Sequence, residues 1–166
     1  MKHARGIAIS GVFTALAIGL MWIGALSGVG TYAVPLLAGI ALIPVGQALG
    51  KKYHLLSFAA VSLLSFLLSA DWEQNLMFAG LLGWYPILRP ALERLKKPLR
   101  ILLKLAIFNV MAVAVELLVM LVFVPTAEAL WLLVTLLLIG NVAFLIYDAA
   151  LPKFEFLLAY KLRLMK

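Results

Sequence analysis

The polar positions of this chain fall in short breaks between long apolar runs, and most of those runs match the roughly 20 residues that an α-helix needs to cross about 30 Å of hydrocarbon. The pattern predicts about six helices, over residues 6–26, 32–49, 53–70, 75–88, 101–124 and 127–151. The glycines of Ser27-Gly28-Val29-Gly30 permit a tight turn after the first. Pro44 lies inside the second and predicts a kink there. The fourth run is short and carries Gly80, Gly83 and Pro86, so it is expected to be little tilted, broken or partly re-entrant.

The breaks alternate in charge. All fourteen Lys and Arg residues lie at the N-terminus, at Lys51-Lys52, between Arg89 and Lys104, or from Lys153 onward, and the intervening breaks have none. Because cytoplasmic loops retain Lys and Arg, this alternation predicts a multi-pass protein of the bacterial inner membrane with both termini in the cytoplasm. Trp22, Trp72 and Trp131 fall toward outer helix ends and Tyr53, Tyr147 and Tyr160 toward inner ones, as interfacial aromatic belts require. Residues 89–100, bracketed by Pro90 and Pro98, read as a basic cytoplasmic turn or short interfacial helix suited to docking or lipid contact. Residues 153–166 read as a tail along the inner interface. The outer breaks are only a few residues long, so consecutive helices are expected to be antiparallel neighbours in a compact all-α bundle, one membrane domain over residues 1–166.

Composition narrows the class further. A chain with 66% hydrophobic and 13% charged residues and a mean hydropathy of +1.13 suits lipid as its solvent. The net charge of +7 is distributed over inner helix ends, where it meets anionic headgroups, and nucleic acid is not an expected partner. There is no cysteine, which excludes disulfides, thiolate metal sites and a cysteine nucleophile. Met1-Lys2-His3-Ala4-Arg5 has the charge of a signal-peptide start and Ala15-Leu16-Ala17 the shape of a cleavage site, but the apolar run continues to Leu26, so an uncleaved helix is expected.

Ionisable groups inside apolar runs carry the chemistry, because a carboxylate at mid-bilayer depth costs about 2.5 to 3.5 kcal/mol on insertion scales. Glu116 lies within the fifth run, seven residues after Asn109 on nearly the same helical face, and Asn141 and Asp148 repeat that spacing in the sixth. Two such polar stripes facing each other form either a solute or ion site or an interhelical hydrogen-bond cluster that fixes packing, at roughly 0.6 kcal/mol per bond. An amide would serve packing without the ionisation cost, so Glu116 is the stronger functional candidate. Asp148 lies near the cytoplasmic end, where pairing with Lys153 or with a lysine of a neighbouring helix accounts for it. The outer rim offers Tyr32, Asp71, Trp72, Glu73, Asn75, Thr126 and Glu128, a set that suits a polar or cationic heterocycle when taken as a group and ordinary solvated loop positions when taken singly. Ser62, Ser65 and Ser69 line one face of the third run. Gly11, Ala15 and Gly19 recur at spacing four in the first, a face that permits close helix approach inside the bundle or to another membrane protein. The only histidines are His3 and His54, and no H-E-x-x-H, G-x-S-x-G or P-loop is present, so no catalysis, metal or cofactor is expected.

In its six runs, its inner termini and its small-residue first helix, the chain resembles the substrate-binding S components of energy-coupling factor (ECF) transporters. In that family an Ala-x-x-x-Ala face of the first helix docks on a transmembrane T component. The strict pattern occurs here at Ala4 and Ala8, and Gly11-Val-Phe-Thr-Ala15 is its in-helix equivalent with Gly for Ala. The resemblance implies capture of a vitamin or related small solute from outside, by Asp71 to Asn75, Glu116 and Asn141, followed by association with the T component and a pair of ATPases and toppling to release solute inside. A different class, a non-transporting scaffold of the cell envelope resembling the cell-shape protein MreD, accounts for the multi-spanning pattern but leaves Glu116 unexplained.

Overall fold

The computed structural model of the chain describes residues 2–28, 30–123 and 129–164. They are helical almost throughout, with no strand among them. The helices are α1 (Lys2–Ser27), α2 (Ala33–Ala41), α3 (Ile43–Leu49), α4 (Lys51–Leu68), α5 (Trp72–Met77), α6 (Tyr85–Leu92), α7 (Lys97–Phe123) and α8 (Ala129–Leu164), with a π-helical turn, Phe78–Leu82, between α5 and α6.

Three helices are long and apolar enough to cross a membrane, over Gly6–Ser27, Lys97–Leu121 and Leu133–Tyr160, against the six expected. Two of the three missing runs are broken locally, and the third is α4, an unbroken helix of 18 residues that begins on Lys51 and Lys52. The second run is broken at Leu42, two residues before Pro44, because a proline in the first turn of α3 brings no N–H and its ring excludes the carbonyl four residues back. The N–H of Leu42 instead returns to the carbonyls of Gly39 and Ile40. The fourth run is broken by the π turn, where the Gly83 N–H reaches back five residues to the Phe78 carbonyl at 2.9 Å. Between α3 and α4 the chain reverses on Gly50, whose φ of 91° suits a residue without a Cβ.

Two sequence expectations change at the basic end. The stretch 89–100 is not one exposed segment: Arg89 is buried in the last turn of α6 and Lys97 already begins α7, leaving only a short turn between them. The tail does not leave the helix at Leu151, since α8 continues through Pro152 to Leu164.

α1 packs along α2, α3 and α4, α7 packs along α8, and the α5, π-turn and α6 segment runs between the two groups. That segment divides the interior. Phe78 joins Ala17, Met21, Ala38, Leu42 and Val61 on one side, while Met77, Leu81, Leu82 and Tyr85 join Phe108, Ala112, Val115, Phe144, Tyr147 and Leu151 on the other. Phe144 sits between two rings, stacked on Phe108 at 4.7 Å and edge-on to Tyr85 at 4.9 Å. On the outside the helices show bare apolar surface, with Leu67, Leu121 and Trp131 about four-fifths exposed.

The ends of the bundle differ in charge. Thr31, in the turn after α1, donates to Asp71 before α5 at 3.2 Å, which joins those two junctions at one end. At the other, Gly6 packs on Leu49, Gln47 donates to the Glu155 carbonyl at 2.8 Å, and Arg89 reaches α8. Among the described residues, the basic breaks of the sequence thus collect at one end and the acids without an ion pair at the other.

Candidate functional site

Glu116 projects from α7 into the interior and is 4% exposed. It meets Tyr32, at the N-terminal boundary of α2, whose hydroxyl lies 3.3 Å from Glu116 Oε1 and donates to Glu73 Oε1 from α5. One phenol therefore bridges two carboxylates that come from separate helices. Below them opens a cavity of about 130 Å³ between α2, α7, α8 and the π turn, walled by Leu36, Met77, Phe108, Ala112, Gly140 and Phe144 with Tyr32 and Glu116 at its polar end. Gly140 shapes the wall, because a Cβ there would stand 3.0 Å from the Phe108 ring.

The remaining rim candidates are placed elsewhere. Asp71 caps α5, accepting from the Gln74 N–H at 2.9 Å as well as from Thr31. Trp72 is half exposed and packs on Phe66 with ring centroids 5.7 Å apart. Asn75 is buried and donates to the carbonyls of Ser65 and Ser69 at 3.2 and 3.3 Å, so it braces the end of α4. Thr126 and Glu128 lie outside the described residues.

Asn109 and Asn141 face each other, as the matched spacings of the two runs predict, but outside the cavity. Each amide donates to the other and to a carbonyl one turn back in its own helix, Leu105 at 2.8 Å and Leu137 at 2.7 Å. Both N–H donors of each side chain are thereby occupied, which leaves none for a solute.

Asp148 belongs to an ion-pair network at the basic end. Its partner is not Lys153: Lys104 of α7 binds both carboxylate oxygens at 2.9 and 2.7 Å, Arg89 binds at 3.1 Å and the Tyr85 hydroxyl at 2.6 Å. Lys104 also holds Glu93 at 2.5 Å, and Arg89 extends to Glu93 and Glu155. The hydrogen bond from Lys104, with the charges of Arg89 and Arg100 behind it, holds the Glu93 carboxyl below its usual value. Lys104 is the neighbouring-helix lysine that the sequence offers as the alternative partner of Asp148; the parts played by Arg89, Tyr85 and Glu93 are not legible from it. The signal available was the pair Arg89 and Glu93, four residues apart, directly after an apolar run.

The predicted docking stripe points outward. Ala8, Gly11 and Ala15 are exposed, and nothing lies within 4 Å of a Cβ built on Gly11 or Gly19. The Ala4 side chain lies outside the described residues. The opposite face of α1 makes the internal contacts, with Ser10 and Thr14 hydrogen-bonded to Ser57 of α4 at 3.1 and 2.9 Å. Gln74, which sequence reading also passed over, ties α5 to α1 by donating to the Met21 carbonyl at 2.6 Å.

No family model matches this chain, and no curated protein and no solved structure matches it.

Proposed function

We propose that this protein is a multi-pass inner-membrane subunit that binds a small solute in the cavity beneath Tyr32, with its basic end in the cytoplasm and its acidic end outside. The observation that carries the reading is the cavity itself, an apolar space that ends on a buried carboxylate, Glu116, with no cation beside it among the described residues. Concave apolar pockets with a few converging polar groups are the common form of small-molecule sites. A scaffold needs surfaces only, and neither the cavity nor Glu116 would serve it. The segregation of Lys and Arg at one end supports the orientation.

In the more specific reading, the chain acts as the S component of an ECF-type micronutrient transporter. The resemblance of the sequence and the outward small-residue face of α1, free to meet a T component, support it. The chain would then supply specificity, and its partners would supply ATP hydrolysis.

Native mass spectrometry of the gently purified full chain tests the solute-binding reading. A retained small molecule is expected in the wild type and should be lost in Ala112→Phe, which fills the cavity from a buried position on α7. The same retained mass in both proteins would move the solute elsewhere, and no retained mass together with no ligand-dependent change in melting would remove the reading.

A further inference from the structure

The charge at the polar end of the cavity does not balance. Tyr32 has one hydroxyl proton and stands between two carboxylate oxygens, Glu73 Oε1 and Glu116 Oε1. With both acids ionised, one of them meets only the lone pairs of the phenol oxygen. Glu116 Oε2 has no hydrogen-bond partner among the described residues, although the side chain is almost fully buried. No cation compensates either acid: the ion pairs among the described residues all fall on Glu93, Asp148 and Glu155 at the other end. The groups facing Glu116 are Tyr32 at the start of α2 and Glu73 on α5, while α8 presents Leu136, Leu137 and Gly140. With both acids ionised the cluster holds two negative charges and no positive one.

The space next to it is apolar and about 130 Å³. An apolar cavity of about 150 Å³ accepts one benzene ring. We propose, building on the solute-binding reading above, that the solute is a small monocation. It would be a protonated primary or secondary amine on a single ring or short branched chain, with its ammonium on Glu116 beside Tyr32 and its apolar body against Phe108, Ala112 and Phe144. When the site is empty the acid pair shares one proton. On binding, an ammonium N–H replaces that proton at Glu116 while Tyr32 keeps its bond to Glu73, the proton leaves to water, and the net charge of the site is unchanged.

Three probes of one shape and different charge test this on the full chain in lipid nanodiscs: benzylamine, benzyl alcohol and benzoate, each read by the shift it causes in the melting temperature. Benzylamine is expected to bind at least about tenfold more tightly than benzyl alcohol, and benzoate not at all. Glu116→Gln and Glu73→Gln should each remove that preference while leaving the benzyl alcohol shift in place. Calorimetry of the wild type in two buffers of different ionisation enthalpy should show release of about one proton per amine bound, a readout that stands even if a variant fails to fold. Equal binding of the amine and the alcohol, stronger binding of benzoate, or no proton release overturns the charge assignment and leaves the cavity as a solute site. No shift with any probe, alongside no retained solute in the native spectrum, overturns the solute-binding reading with it.

Discussion

Asn109 on α7 and Asn141 on α8 exchange hydrogen bonds in both directions, at 2.9 and 2.8 Å, and so fix the register of the two longest helices. Single replacements by Leu are expected to destabilise by about 1 kcal/mol each, and the double replacement by less than the sum, with a coupling of about 1 kcal/mol. Unfolding of the four proteins in one detergent measures it, and additive effects would mean that the pair is not a unit.

Lys104 joins Glu93 to Asp148 from a nearly buried position. Lys104→Met leaves Asp148 with too little positive charge, and a loss of about 3 to 5 kcal/mol is expected. Adding Asp148→Leu should recover much of it, because the uncompensated charge goes with it. A double variant no more stable than the single one would contradict the network.

Acid should act on the same end. The Glu93 carboxyl is held below its usual value by Lys104, so the stability it contributes is complete above that usual value and is lost as pH falls through the lowered one. The wild type is expected to lose melting temperature progressively in that acid range, and Lys104→Met to lose much less over the same range. Parallel pH profiles would remove Glu93 as the group responsible.

Two glycines of similar sequence context should respond oppositely. A Cβ on Gly39 of α2 would stand 2.5 Å from the Leu82 carbonyl oxygen, so Gly39→Ala must push α2 off the π turn, at a cost of about 1 to 3 kcal/mol. A Cβ on Gly11 meets nothing within 4 Å, and Gly11→Ala should stabilise α1 by about 0.5 to 1 kcal/mol. Ala15→Leu should likewise leave the isolated chain folded, and should reduce capture of a T component if that face docks one.

The absence of cysteine makes single-site labelling clean. Asp71→Cys is expected to react with an impermeant maleimide added from outside the cell, and Lys52→Cys only after the inner face is exposed. The reverse pattern would invert the proposed orientation.

The sequence carried the periodic features well. Seven-residue spacing placed Asn109 and Asn141 on facing stripes, Pro44 foretold the break beside it, and the glycines of the fourth run foretold its irregular winding. Each of these is a property of one helix or of two neighbouring ones. The site was harder to read, since Tyr32 and Glu116 are 84 residues apart and meet only because the α5 segment inserts between two helical groups. The same limit hides two partners of Asp148: Arg89 and Tyr85 lie 59 and 63 residues away, on a short helix that the sequence alone does not set against α8. Glu73 and Asp71, two residues apart in one acidic break, have different roles because a capping carboxylate turns back to the helix and its neighbour points across to Tyr32.

The π turn has a mechanical consequence. Each residue of an α-helix turns the chain by about 100°, and the Phe78 to Gly83 hydrogen bond takes one residue more than an α turn does. The direction in which Glu73 points is therefore keyed to the direction in which Tyr85 and Arg89 point, through five residues that hold the two ends of the molecule at a set angular phase. Tightening that turn to α geometry would rotate one end against the other by about the angle of a single residue, enough to turn Glu73 away from Tyr32 while Arg89 stays on Asp148.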